Sequence, residues 1–172
     1  MNNIILCGFM GCGKSTVGTL LARRLEMEYA DLDAEIEAQA GMAIPSIFAE
    51  YGEAHFRDLE HAAIRCLAAR VGCVVSTGGG ALTYPRNVSA LSPRDLVVFL
   101  DAPFESCWER IRESDRPIVR RGTRAELREI FDARRPVYLA AANAVVDASA
   151  APEAVAEVVA RLRIGRQDDP SP

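Results

Sequence analysis

The segment Gly8-Phe9-Met10-Gly11-Cys12-Gly13-Lys14-Ser15 constrains this chain more than any other, because it satisfies GxxxxGK[ST] in the context where that pattern has a mechanism. It follows a short apolar run, Asn3–Cys7, and it opens the segment Ser15–Leu25, whose apolar residues Val17, Leu20, Leu21 and Leu25 fall at helical spacing. A strand, a glycine turn and a helix in that order aim backbone N–H groups and a helix N-terminus at a chain of phosphates. The lysine then reaches the β- and γ-oxygens, and the serine hydroxyl is offered to Mg2+. The residues expected to hold ATP here are Gly11, Cys12, Gly13, Lys14 and Ser15. Thr16 either adds an α-phosphate contact or caps the helix. A glycine-rich turn with an exposed lysine is the bland alternative, and the placement between strand and helix argues against it.

The alternation continues along the chain. Glu28–Leu32, Cys73–Thr77, Leu96–Leu100 and Val145–Asp147 read as strands, and Ala34–Ala40, Pro45–Tyr51, Glu53–Val71, Phe104–Arg112, Ala125–Ala142 and Pro152–Leu162 read as helices. Strands separated by helices predict an α/β fold with a parallel sheet covered on both faces. Between two of the helices, Glu113–Arg124 shows no apolar period and carries Arg116, Arg120, Arg121 and Arg124, so it is expected to be a long basic loop. At 172 residues, 49% hydrophobic and 26% charged, the chain suits a single domain over 1–164 with a disordered tail over 165–172.

Composition excludes several classes of function. Five cysteines with no CxxC pair disfavour both a zinc module and a disulfide framework. No apolar run approaches the ~18 residues that span a bilayer, and the N-terminus lacks the marks of a signal peptide, so a cytoplasmic protein without a membrane partner is expected. A net charge of −4 and 6% aromatic residues disfavour nucleic acid as a partner. They leave room for a small anion held by a local arginine cluster.

Three further stretches suggest such a cluster. Asp31-Leu32-Asp33 closes the second strand, where residues two apart share a face, so both carboxylates are expected near the γ-phosphate at the carboxyl end of the sheet. One would stand near Mg2+ and one near an acceptor hydroxyl; the alternative is that Asp33 only caps the helix that follows. Arg57 and Glu60 lie three apart on a helix, so the carboxylate can orient the guanidinium, as it would in a plain surface pair. Gly78-Gly79-Gly80 ends a buried strand with no side chains, which suits close approach of a ligand or simply a loop. Together with Arg134, these residues could fix a small hydroxylated carboxylic acid through bidentate arginine contacts.

In this order and at these spacings, the P-loop, Asp31-Leu32-Asp33, Phe48, Phe56-Arg57 with Glu60, Gly78-Gly79-Gly80, Asp115-Arg116-Pro117, and Arg134 with Pro136 and Tyr138 resemble the shikimate kinases from Asn3 to about Leu162. The resemblance implies a P-loop NTPase-type fold like that of the nucleoside-monophosphate kinases, with a mobile lid over about 113–124 and an acceptor-binding region over about 33–61. It implies ATP-dependent phosphorylation of the 3-hydroxyl of shikimate, a step of aromatic amino-acid biosynthesis, with Mg2+ as cofactor; the chain is expected to work as a monomer. Asp33 would be the base and bind the acceptor hydroxyls, Ser15 and Asp31 would serve the metal, and Arg57, Gly79 and Arg134 would hold the acid. Arg116 would reach the ATP phosphates from the lid, Phe48 and Phe56 would form the apolar side of the pocket, and adenine would sit between Arg110 or Arg112 and the Asp147–Pro152 loop. The chain departs from the family pattern at Cys12, where a small P-loop residue is usual, and in the arginine-rich run Ser114–Arg124. A kinase for another small acceptor and a nucleotide-regulated switch are the competing readings. The switch is disfavoured by the lack of an NKxD sequence and by the retention of Asp33.

Overall fold

A computed structural model describes residues 2–167. Five strands, β1 (Ile4–Cys7), β2 (Glu28–Asp31), β3 (Cys73–Ser76), β4 (Leu96–Asp101) and β5 (Ala144–Asp147), form one sheet in the order β2-β3-β1-β4-β5. All four pairings are parallel, with Ile4 opposite both Val74 and Leu96. The inner strands β1 and β3 are buried at every position, which is why they read as unbroken apolar runs without alternation.

From β1 the chain crosses outward to β2, returns to β3 beside β1, and then passes to β4 on the other side. Connections leaving in opposite directions open a crevice at the carboxyl end of the sheet, and the glycine-rich loop after β1 lies there. Among the described residues the α-helices are α1 (Lys14–Leu25), α2 (Leu32–Ala40), α3 (Ile44–Ala68), α4 (Pro85–Val88), α5 (Phe104–Ile111), α6 (Pro117–Arg121), α7 (Arg124–Ala141) and α8 (Pro152–Gln167). Among them α1 packs on α8, and α2 on α3.

Three features refine the sequence reading. Gly52, at φ 80° and ψ 175°, interrupts α3 and divides it into the two helices expected from the pattern, at a φ that L side chains rarely adopt. Glu113–Arg124 is not wholly a loop, because α6 forms within it with Pro117 at its start and Val119 buried. Five residues give too few turns for an apolar period to show, so this helix leaves no signature. At the other end, α8 extends over 165–167, the first residues expected in the tail, and 168–172 lie outside the described residues.

Candidate active site

The phosphate loop is closed on its own lysine. Lys14, the first residue of α1, is buried, and its Nζ donates to the carbonyls of Gly8 at 2.8 Å and Phe9 at 3.0 Å. Cys12 is also buried, with its Sγ 3.7 Å from the same ammonium, so the departure at this position places an enclosed sulfur in the loop rather than an exposed thiol. The N-cap of α1 is Gly13, which has no side chain to offer. Thr16 is exposed on the first turn and does not cap the helix.

The two aspartates do not share a strand face. Strand β2 ends at Asp31, and Asp31 itself caps α2, accepting from the Asp33 N–H at 3.1 Å and the Ala34 N–H at 3.4 Å. The capping role considered for Asp33 therefore belongs to its neighbour, because the helix starts two residues earlier than the apolar pattern shows. The other oxygen of Asp31 accepts from Ser15 Oγ at 2.9 Å and Tyr29 OH at 3.1 Å. A hydroxyl and a carboxylate in contact beside a phosphate loop are the hard oxygen donors that Mg2+ prefers, so these residues fit the metal.

Freed from capping, Asp33 stands in the first turn of α2 and lines a cavity of about 900 Å3. Burial pushes its carboxyl above the usual carboxylate range; Arg116 acts against that shift and Asp31 adds to it. Arg116 comes from the N-cap of α6, with NH1 3.6 Å from Asp33 Oδ2. Of the other arginines of the region, Arg120 pairs with Asp115 and Arg124 with Glu105, whereas Arg121 also lines the cavity.

Across the cavity, NH1 of Arg57 donates to both oxygens of Glu60, at 3.0 and 3.1 Å, while Nε and NH2 reach Glu53 Oε1 at 3.2 and 3.0 Å. The guanidinium also lies over the rings of Phe56 and Tyr84, at 5.1 and 4.9 Å. Burial opposes its charge, but Glu60 and Glu53 outweigh that, and its pKa lies above the usual arginine value. Burial likewise pushes the Glu60 carboxyl up, with Arg57 acting against it. Phe48 and Phe56 pack with tilted rings 4.7 Å apart and supply the apolar wall.

The glycine wall closes the third side. Arg134 NH1 donates to the Gly79 carbonyl at 3.3 Å, and the Tyr138 hydroxyl donates to the same oxygen. A Cβ at Gly78 would sit 2.7 Å from Asp33 Oδ1, so a larger residue here would push that carboxylate aside. On the nucleotide side, Arg110 NH1 donates to the Gly11 carbonyl at 2.9 Å, whereas Arg112 pairs with Glu109 and Glu113. Of the two arginines considered for adenine, the fold brings Arg110 to the P-loop. Pro152 opens α8 beyond the carboxyl end of β5 and makes no hydrogen bond to the P-loop among the described residues.

Some site residues escaped the sequence reading. Glu53 stands four residues before Arg57, an i,i+4 spacing that could have revealed it. Tyr84 and Asn87 reach the Arg57–Glu60 pair from a different segment, and nothing local in the sequence marks them.

A five-stranded parallel sheet with its phosphate loop at the switch point, a carboxylate facing that loop and a basic segment above it define a P-loop kinase of the nucleoside-monophosphate-kinase type. The family model described as shikimate kinase matches residues 10–163. A shikimate kinase of Persephonella marina is 40% identical over 95% of this chain and 100% of its own length. One from Geobacter metallireducens is 43% identical over 94% of this chain and 90% of its own length. Among solved structures, shikimate kinase from Acinetobacter baumannii in complex with shikimate superposes with a TM-score of 0.92 at 34% identity, covering 98% of this chain and 96% of that one. The chain belongs to the shikimate kinase family, and its reaction is ATP-dependent phosphorylation of shikimate.

Proposed function

We propose the following division of roles in transfer of the γ-phosphoryl group of ATP to the 3-hydroxyl of shikimate. The observation that carries it is the single cavity in which Asp33, Arg57, Gly79, Arg116 and Arg134 all converge. Arg57 and Arg134 bind the carboxylate of the acid against Gly79, and this end-on anchoring turns the ring hydroxyls toward Asp33. Asp33 accepts the proton of the 3-hydroxyl as that oxygen bonds to the γ-phosphorus. The bond from the γ-phosphorus to the bridging oxygen breaks, and ADP leaves with the electron pair. A carboxyl held above the ordinary range is a better proton acceptor than a free aspartate.

Lys14 is placed to leave the carbonyls of Gly8 and Phe9 and neutralise charge on the β- and γ-phosphates. Ser15 and Asp31 would hold Mg2+, Asp31 through water, and the metal when bound offsets negative charge on the transferring group. Arg116 completes the phosphate site from a lid over about 113–124, which also excludes water as a competing acceptor. Arg110 and the loop ending at Pro152 flank adenine. The chain acts as one domain and as a monomer in the cytoplasm; no helix among the described residues is long and apolar enough to cross a membrane.

A coupled assay of ADP release tests this reading. Turnover should require both ATP and shikimate. ADP release that responds instead to gluconate or to a nucleoside monophosphate, with shikimate inert, would overturn it.

A further inference from the structure

Three residues of the segment between β3 and β4 reach the Arg57–Glu60 stretch of α3. Tyr84 places its ring beneath the Arg57 guanidinium. Arg86 donates from NH2 to the Arg57 carbonyl at 2.7 Å and from NH1 to Asp58 at 2.9 Å. Asn87, 1% exposed, donates from Nδ2 to Ala81 O at 2.8 Å and to Glu60 Oε2 at 3.4 Å. A four-residue helix thus grips both the backbone and the buried partner of the arginine opposite it.

The chemistry of these contacts orients the amide. Two acceptors face one end of Asn87, so that end must be the nitrogen, and the remaining oxygen lies 2.8 Å from His61 Nδ1. His61 therefore carries a proton on Nδ1, and His61, Asn87, Glu60 and Arg57 form one line of donors and acceptors running from the flank of α3 to the cavity wall. Both Glu60 oxygens hold the same Arg57 nitrogen, and Asn87 contacts one of them from the other side. Glu53 holds the other guanidinium nitrogens, so the contact from Asn87 bears on the Glu60 side of Arg57: it restrains the carboxylate that fixes NH1.

We infer that Asn87, its amide fixed by His61, is a positioning residue that sets how strictly the acceptor site requires a carboxylate. This rests on the reading of Arg57 as a partner of the shikimate carboxylate. Asn87 does not touch the cavity; it acts through Glu60 and Arg57, in the way that polar neighbours tune a binding side chain.

The test compares shikimate with its carboxamide analogue. Asn87→Asp keeps the size and the acceptor toward His61 but replaces the donor facing Glu60 with an oxygen. The ratio of kcat/KM for the acid over that for the amide should fall about tenfold, mostly through KM for shikimate, with KM for ATP unchanged. His61→Leu, at a half-buried position on α3, should shift the ratio in the same direction by a smaller factor, and it provides the answer if Asn87→Asp does not fold. A wild-type ratio in His61→Leu together with a wild-type ratio or no fold in Asn87→Asp would show a structural role only and overturn the inference, while Arg57→Ala still penalised the acid. Equal use of acid and amide by the unaltered enzyme would instead sink the carboxylate reading of Arg57, and this inference with it.

Discussion

The two halves of the active site are built from opposite kinds of contact. In the phosphate loop the key cation is satisfied by carbonyls five and six residues away, and the geometry is contained in Gly8–Ser15. In the acceptor pocket the polar groups come from α2, α3, the loop after β3, the start of α6 and α7, with α4 behind them, and they hold one another through ion pairs and hydrogen bonds. The first half is a local motif that needs only a strand before it and a helix after it. The second exists only once the whole sheet is assembled. Damage to the first should therefore abolish chemistry without altering what the site selects, whereas damage to the second should change selection before it abolishes chemistry.

Lys14→Met should have the largest effect and breaks the comparison most directly. Turnover should fall by about 10³ or more, since charge stabilisation at the transferring group is removed in a water-excluded site. Thermal unfolding and shikimate binding should be close to wild type, because methionine has nearly the same stem. A folded variant with near-normal turnover would show that the loop is not the phosphate site.

Asp33→Asn addresses the point where the halves meet. The kcat should fall by about 10² with the substrate KM little changed, as when a proton acceptor is lost. Stability should move the other way. The folded-state pKa of Asp33 is raised, so ionisation penalises the folded state once pH exceeds that pKa, and the penalty is absent below the unfolded value. The amide should thus be at least as stable as wild type near neutral pH, and that advantage should vanish in acid. Calorimetry across pH checks the sign.

The same contrast explains what was legible in the sequence. The P-loop could be read because its function depends on residues adjacent in the chain, and the strands could be read because buried parallel strands are continuous apolar runs. Asp31 and Asp33 were placed at the right end of the sheet, but their geometry turned on where β2 stops, a boundary set by a cap that the apolar pattern does not show. Which of Arg110 and Arg112 approaches the P-loop depends on the turn of α5 that faces Gly11. Asn87 was invisible: its partners on α3 lie 26 and 27 residues away, and α4 and α6 are too short to carry a period.

Arg57→Ala sharpens the comparison within the acceptor half. Removing one side of a desolvated charge pair costs about 2–5 kcal/mol, and with Arg134 still present the loss for shikimate should lie near the lower end, about thirtyfold in kcat/KM. The carboxamide analogue should lose little, a non-additive result that marks direct contact. Glu60→Ala should reproduce it more weakly, because Glu60 orients Arg57. Equal losses for acid and amide would make Arg57 a structural strut.

Arg116→Ala should have the smallest effect without nucleotide, and it tests whether the lid joins one half or the other. Here Arg116 sits on Asp33, although its proposed task is phosphate. Both cannot be served at once, so ATP should draw the arginine away and leave Asp33 free for the acceptor hydroxyl. In the variant, KM for ATP should rise severalfold, while shikimate binding without ATP should be unchanged or slightly tighter near neutral pH, since a competitor for Asp33 is gone. The titration supplies a second, independent sign. Arg116 pulls the Asp33 carboxyl down against burial, so its removal should shift the acid limb of shikimate binding to higher pH. The ion pair is partly exposed, and its contribution to stability should be at most about 1 kcal/mol, lost as pH falls and Asp33 takes up its proton. A selective loss of shikimate affinity, with ATP handling and the acid limb unmoved, would place Arg116 in the acceptor pocket and erase the division between the two halves.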